Sequence, residues 1–252
     1  MTTVRTPKRP GYAGVRVHGI LRCAVLVCLT TAAAAAAEDG TSDGRLTGAL
    51  PPGAIGSQRL VGVGPLSFCV QPVEVLAPRG TRIAFADGGA FGPPASAPQL
   101  AGLQPHYVYR LRVTHVPGHP GVEVFPTIQV IDRLHPPPGE ELRFPIPVEL
   151  TREELLLAAQ GAFVKRVIYV ENPDTAVPIA DEPGRQNWFE AAAGQDPFEV
   201  AKCLGRPVAI LRIGGRAPDV AAATDQDAFA FGAPPVQLYE RAGETVRRNV
   251  DE

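Results

Sequence analysis

The sequence predicts a mostly β or α+β domain: an antiparallel sheet or sandwich of about six to eight strands, carrying two short capped helices, with disordered tails on either side. Three observations lead there. Over the central stretch 107–170, apolar residues recur with the two-residue period of strands that bury one face. The chain holds 27 prolines and 26 glycines in 252 residues, a usage that favours strands joined by long loops. Two helices are marked by their capping residues rather than by their length.

The chain begins with a targeting pattern. Arg5, Lys8, Arg9 and Arg16 make a basic start, residues 20–29 an apolar run, and residues 32–37 a small-residue cleavage region before Glu38. Residues 1–37 therefore read as a signal peptide and are set outside the fold. The apolar run is too short for a comfortable membrane span, and no later segment is long and apolar enough to make one. Residues 38–67 form a linker expected to be disordered, and residues 68–215 form the domain. Residues 68–76 and 81–86 read as a hairpin turning at Pro78-Arg79-Gly80. Residues 88–105 read as a Pro/Gly/Ala loop.

In the central stretch, Tyr107, Tyr109, Leu111 and Val113 alternate with Val108, Arg110, Arg112 and Thr114. A turn over residues 115–121 leads to Val122, Val124, Ile128 and Val130, an expected antiparallel partner. Leu142, Phe144, Ile146 and Val148 alternate with Arg143, Pro145, Pro147 and Glu149. Proline cannot donate to a ladder, so this strand belongs at a sheet edge. Thr151 and Glu154 make a capping box, Leu150 and Leu155 a hydrophobic staple, and Gly161 stops the helix. Residues 163–170 are apolar on both faces and read as a central strand. Asp196 as N-cap, Pro197 at the first helical position and Glu199, completing a second capping box, open a second helix, Gly205 ends it, and residues 207–213 form a strand. Trp188, in a loop over residues 171–195, is expected to plug the sheet it crosses. Residues 216–252 read as a flexible tail.

The phrases YRLRVTHVPGHPGVEVFPTIQVID, PPPGEELRFPIPVELT, RVIYVENPDTAVPIA and GRPVAILRIGGR resemble a group of functionally uncharacterised exported proteins of planctomycete-type bacteria, over about residues 107–215. That resemblance implies export and an envelope context, in the periplasm, at the cell envelope or outside the cell. It transfers no catalytic residue.

Candidate chemistry is sparse. The net charge of −2 offers no footprint for nucleic acid. There is no G-x-S-x-G elbow, Walker loop, H-E-x-x-H or C-x-x-C, and Gly62-Val63-Gly64 is too short for a dinucleotide fingerprint. His106, His115, His119 and His135 lie within 30 residues of each other, near Glu123 and Asp132, and imidazoles with carboxylates are metal-ligand types. Pro117, Gly118 and Pro120 exclude the helix that would align His115 with His119, so these side chains read as solvated loop histidines, with a metal or small-ligand site as the alternative. Cys69 and Cys203 remain after leader removal, and in an exported chain they suggest either one disulfide or two separate thiols. Arg110, Arg112, Arg166 and Arg212 each project from a strand, and read as a solvated face with partners such as Glu123. The expected function is a non-enzymatic envelope protein acting in structure or protein–protein contact. It needs no cofactor, and its expected partner is another envelope protein.

Overall fold

The computed structural model describes residues 2–8, 50–55, 70–174, 176, 188–215, 229 and 235–240. The class is the predicted one, mostly β with two helices, arranged as two packed sheets. The strands are β1 (Thr2–Lys8), β2 (Gln71–Leu76), β3 (Arg82–Asp87), β4 (Ala90–Phe91), β5 (Ala95–Ser96), β6 (Gln99–Leu103), β7 (Val108–Thr114), β8 (Thr127–Val130), β9 (Ile146–Glu149), β10 (Phe163–Glu171), β11 (Trp188–Glu190), β12 (Gly205–Ile213) and β13 (Gln237–Tyr239). The helices are α1 (Arg152–Ala159) and α2 (Pro197–Leu204). A nine-stranded sheet runs β11-β1-β10-β12-β8-β7-β3-β4, with β5 also on β3, and a four-stranded sheet runs β13-β6-β2-β9. Pairing is antiparallel except for β2 with β9 and β1 with β11.

The period-two residues explain the packing. Val73 and Val75 of β2, Ala101 and Leu103 of β6, and Ile146 and Val148 of β9 face Tyr109, Leu111 and Val113 of β7, Ile128 and Val130 of β8, and Leu211 and Ile213 of β12, in one core that also takes Leu150, Leu155 and Ala158 from α1. The opposite face of the nine-stranded sheet is covered as well: Val167, Tyr169, Ile210 and Ile131 pack against Phe198 and Ala201 of α2, with Ile55 and Ala191. The molecule is therefore a sandwich with a helical cover on its larger sheet. Both faces of β10 and β12 are buried, which is why these strands read as apolar throughout. Tyr109 is fully buried and its hydroxyl accepts from the Gln104 amide at 2.8 Å; burial pushes the phenol up to about 12.

Several local expectations change. Residues 71–76 and 82–87 do not pair as a hairpin: β2 lies in the four-stranded sheet and β3 in the nine-stranded one, so the Pro-Arg-Gly turn passes the chain between layers. The 88–105 loop contains β6, which sits between β2 and β13. Gly102 is needed there, because a Cβ would run into the Val70 side chain and meet the Tyr239 hydroxyl at 2.9 Å. The edge strand starts at Ile146, since residues 141–143 form a 3-10 turn instead; its edge position holds, beside β2 only. Glu199 makes no second capping box: Asp196 accepts from the Phe198 amide at 3.2 Å, while Glu199 pairs with Lys202. Trp188 does not plug the sheet but stands 43% exposed on β11. The 216–252 tail supplies β13 and a buried Phe229. Residues 2–8, set outside the fold by the leader reading, form a strand between β10 and β11.

Candidate functional site

The four histidines end up on separate turns. His106 is buried at the β6–β7 junction, with φ +73 and its amide donating to Val130 O at 2.7 Å. His115 follows β7 with φ +57, a left-handed conformation that costs a non-glycine residue energy and recurs at functional sites. His119 lies on the next turn, its Nε2 3.2 Å from Arg152 Nη2. The Nε2 of His135 accepts from Arg133 Nε at 3.2 Å. Arginines take the two neighbouring carboxylates, Glu123 by Arg112 and Asp132 by Arg206. Among the described residues, no group of three His, Cys, Asp or Glu side chains is placed to hold a metal ion. The metal alternative on His106, His115, His119 and His135 thus finds no ligand set there.

What does come together is a pocket of about 330 Å³ at the end of β7. Ala84 and Pro94 form one side, Pro120, Gly121 and Val122 the other, and Arg112, Thr114, His115 and Glu123 supply the polar groups. The β7 period puts Arg112 and Thr114 on the same face, and the antiparallel Val113–Val124 bridge brings Glu123 opposite Thr114, diagonal to Arg112. Arg112 and Glu123 form an ion pair, while Arg112 Nε is buried without a hydrogen-bond partner. Thr114 Oγ1 is 3.0 Å from His115 Nδ1, a bond that fixes the ring beside the pocket. This can bind a small group that accepts hydrogen bonds, and its lining carboxylate, Glu123, is already paired with Arg112. A smaller pocket of about 160 Å³ lies beside β2, lined by Gln71, Arg133, His135 and Glu141 among others. Hydrogen bonds from its own amide and that of Gly139 hold the Glu141 carboxyl below the usual range.

The arginines divide between the two faces of the sheet. Arg166 lies on the sandwich side, paired with Glu154 at 3.2 Å and 2% exposed. Arg110, Arg212 and Lys165 occupy one row on the other face, through the register Lys165–Arg212–Thr127–Arg110. This row is not a solvated face. Arg110 is buried under Phe229, whose ring centroid is 4.2 Å from its guanidinium carbon, and donates to the carbonyls of Phe125 and Phe229. Arg212 Nη1 donates to Gln129 Oε1 at 3.0 Å, and burial brings its guanidinium down to about 10. Alternation placed these residues on strands, but the covering of Arg110 by Phe229, which pairs edge-on with Phe91 and Phe125, had no signal in the local sequence.

Cys203 on α2 is a free, exposed thiol. Of the two alternatives for Cys69 and Cys203, a free Cys203 matches the separate thiols and not the bridge; Cys69 lies outside the described residues. No helix among the described residues is long and apolar enough to cross a membrane. Comparison with protein-family models, with curated proteins and with solved structures gives no match.

Proposed function

We propose that this chain is an exported, non-enzymatic component of the cell envelope, with residues 1–37 as its leader, and that it acts by holding another envelope protein. The basic start, the apolar run and the small-residue region support export. The observation that carries the contact role is the pair Leu142 and Phe144, each 48% exposed, on the turn leading into edge strand β9. Large apolar side chains two residues apart and half in water suit a protein-binding surface. Pro145 and Pro147 blunt the same edge against ladder pairing, which leaves side-chain contact as its mode. A photoreactive phenylalanine analogue at position 144 tests this in cells. One discrete crosslinked product with a second protein is expected, and Leu142→Asp should abolish it. No product, or one unchanged by that substitution, removes the reading.

A second reading rests on the unpartnered Arg112 Nε beside the 330 Å³ pocket, a volume within the usual range of small-ligand sites. The ligand would present a carbonyl or carboxylate oxygen. Titration with acetate or a small amide should then shift the His115 ring resonances saturably, and Arg112→Met should remove the shift. A linear shift in both proteins counts against it.

A further inference from the structure

The first strand of the chain occupies a place that its own export would vacate. Thr2–Lys8 pairs antiparallel along β10, with register Thr2–Tyr169 through Lys8–Phe163, and on its other side runs parallel to β11, with register Thr3–Trp188 through Arg5–Glu190. Among the described residues, β11 pairs with no other strand. Without residues 2–8, β10 and β11 would face each other across a gap one strand wide, each with unpaired amides and carbonyls along it. Such edges are templates for an added strand.

The β10 wall does not depend on β1 alone. It is paired along its other edge to β12, from Val164–Ile213 to Glu171–Gly205, and Val164, Val167 and Ile168 belong to the cores on its two faces. The two charges of the stretch that pairs with β1 already have partners, Arg166 with Glu154 and Lys165 with Asp196. On the β10 side an incoming segment therefore meets no charge that it must neutralise, while on the β11 side Glu190 lies in register with Arg5, so selection falls on extended conformation, small or β-branched side chains and one basic residue at that register.

Resting on the export reading above, we infer that residues 2–8 are a removable strand, and that the processed chain offers the β10–β11 slot to an extended, Thr/Val-rich segment of another envelope protein, bound antiparallel to β10. Seven residues span about 23 Å in such a ladder. A second processed copy is not the occupant, because it lacks residues 2–8 as well.

The test compares the full-length chain with the processed chain purified from its own cells. Intact mass first fixes where the processed chain starts. Amide hydrogen exchange then reads β10, alone and with a synthetic TTVRTPK peptide standing in for the occupant. The expected result is a start at Glu38, loss of protection at alternate β10 amides relative to the full-length chain, and its return with the peptide but not with an N-methylated version that lacks ladder donors. A start at Glu38 with β10 fully protected, or unresponsive to the peptide, overturns the slot and leaves the export reading standing. A chain that still begins at Met1 overturns both.

Discussion

Adjacent residues of β10 anchor the two helices on opposite faces of the sheet, and the two anchors are built differently. On the sandwich side, Arg166 Nη1 donates to Glu154 Oε2 at 3.2 Å and to Glu149 O at 2.6 Å. The same Glu154 oxygen accepts from Thr151 Oγ1 at 2.9 Å, so the capping box of α1 and the buried ion pair are one network, 2% exposed on each side. On the other side, Lys165 Nζ reaches Asp196 Oδ1 at 3.4 Å, with side chains 11% and 23% exposed. Asp196 also caps α2 through the Phe198 amide. Both helices start at a carboxylate held by a strand cation, yet only one pair is fully satisfied and dry. A buried charge in a complete network is costly to orphan, whereas a wetter, longer contact contributes little.

The largest expected effect is at the dry anchor. Glu154→Gln leaves Arg166 without a counter-charge and should cost about 3–5 kcal/mol, read as a lowered urea midpoint. A loss below about 1 kcal/mol would mean that the two anchors are alike in strength. The cap substitutions come next. Thr151→Ala and Asp196→Ala should each cost about 0.5–2 kcal/mol, and Asp196→Ala equalling Glu154→Gln would break the contrast. Smallest is Lys165→Met, expected within about 1 kcal/mol of the parent, since the Asp196 carboxylate left behind is 23% exposed to water and still accepts from the Phe198 amide.

That last variant also sharpens the comparison through pH. Burial lowers the Lys165 ammonium below its ordinary value, Asp196 opposes the shift, and Arg212 adds to it. The folded chain therefore releases this proton before the unfolded chain does. In the window below the ordinary lysine value, the unfolded state binds more protons, so the Lys165 contribution to stability rises with pH. The stability of the parent relative to Lys165→Met should increase as pH climbs from neutral towards that value. A difference independent of pH would show that Lys165 is solvated.

The parts of the fold legible in the sequence are those set by neighbours along the chain. Thr151 and Glu154 form their box because both partners lie within one helical turn, and the alternation of Tyr109, Leu111 and Val113 is one face of one strand. The parts that were not legible depend on distant residues. QLAGL has no β-branched residue, yet β6 is buried because Val73 and Val75 of β2 pair with it and Gly102 admits Tyr239. The histidines are near in sequence but sit on different turns, so proximity along the chain carried no information about convergence. The pocket at His115 draws Ala84 and Pro94 from other segments, and only Arg112 and Glu123 were marked beforehand as partners.

By itself, the sequence determined where helices start, where strands alternate, and that proline-bearing β9 lies at an edge, because caps, periods and missing donors act over a few residues. Only the tertiary structure decided that β2 and β3 join different sheets, that Thr2–Lys8 lies beside β10, and that Phe229 covers Arg110. Strand partners are chosen by which faces can be buried together, and that choice is made between residues far apart along the chain, such as Val73 with Ile146 and Thr2 with Tyr169.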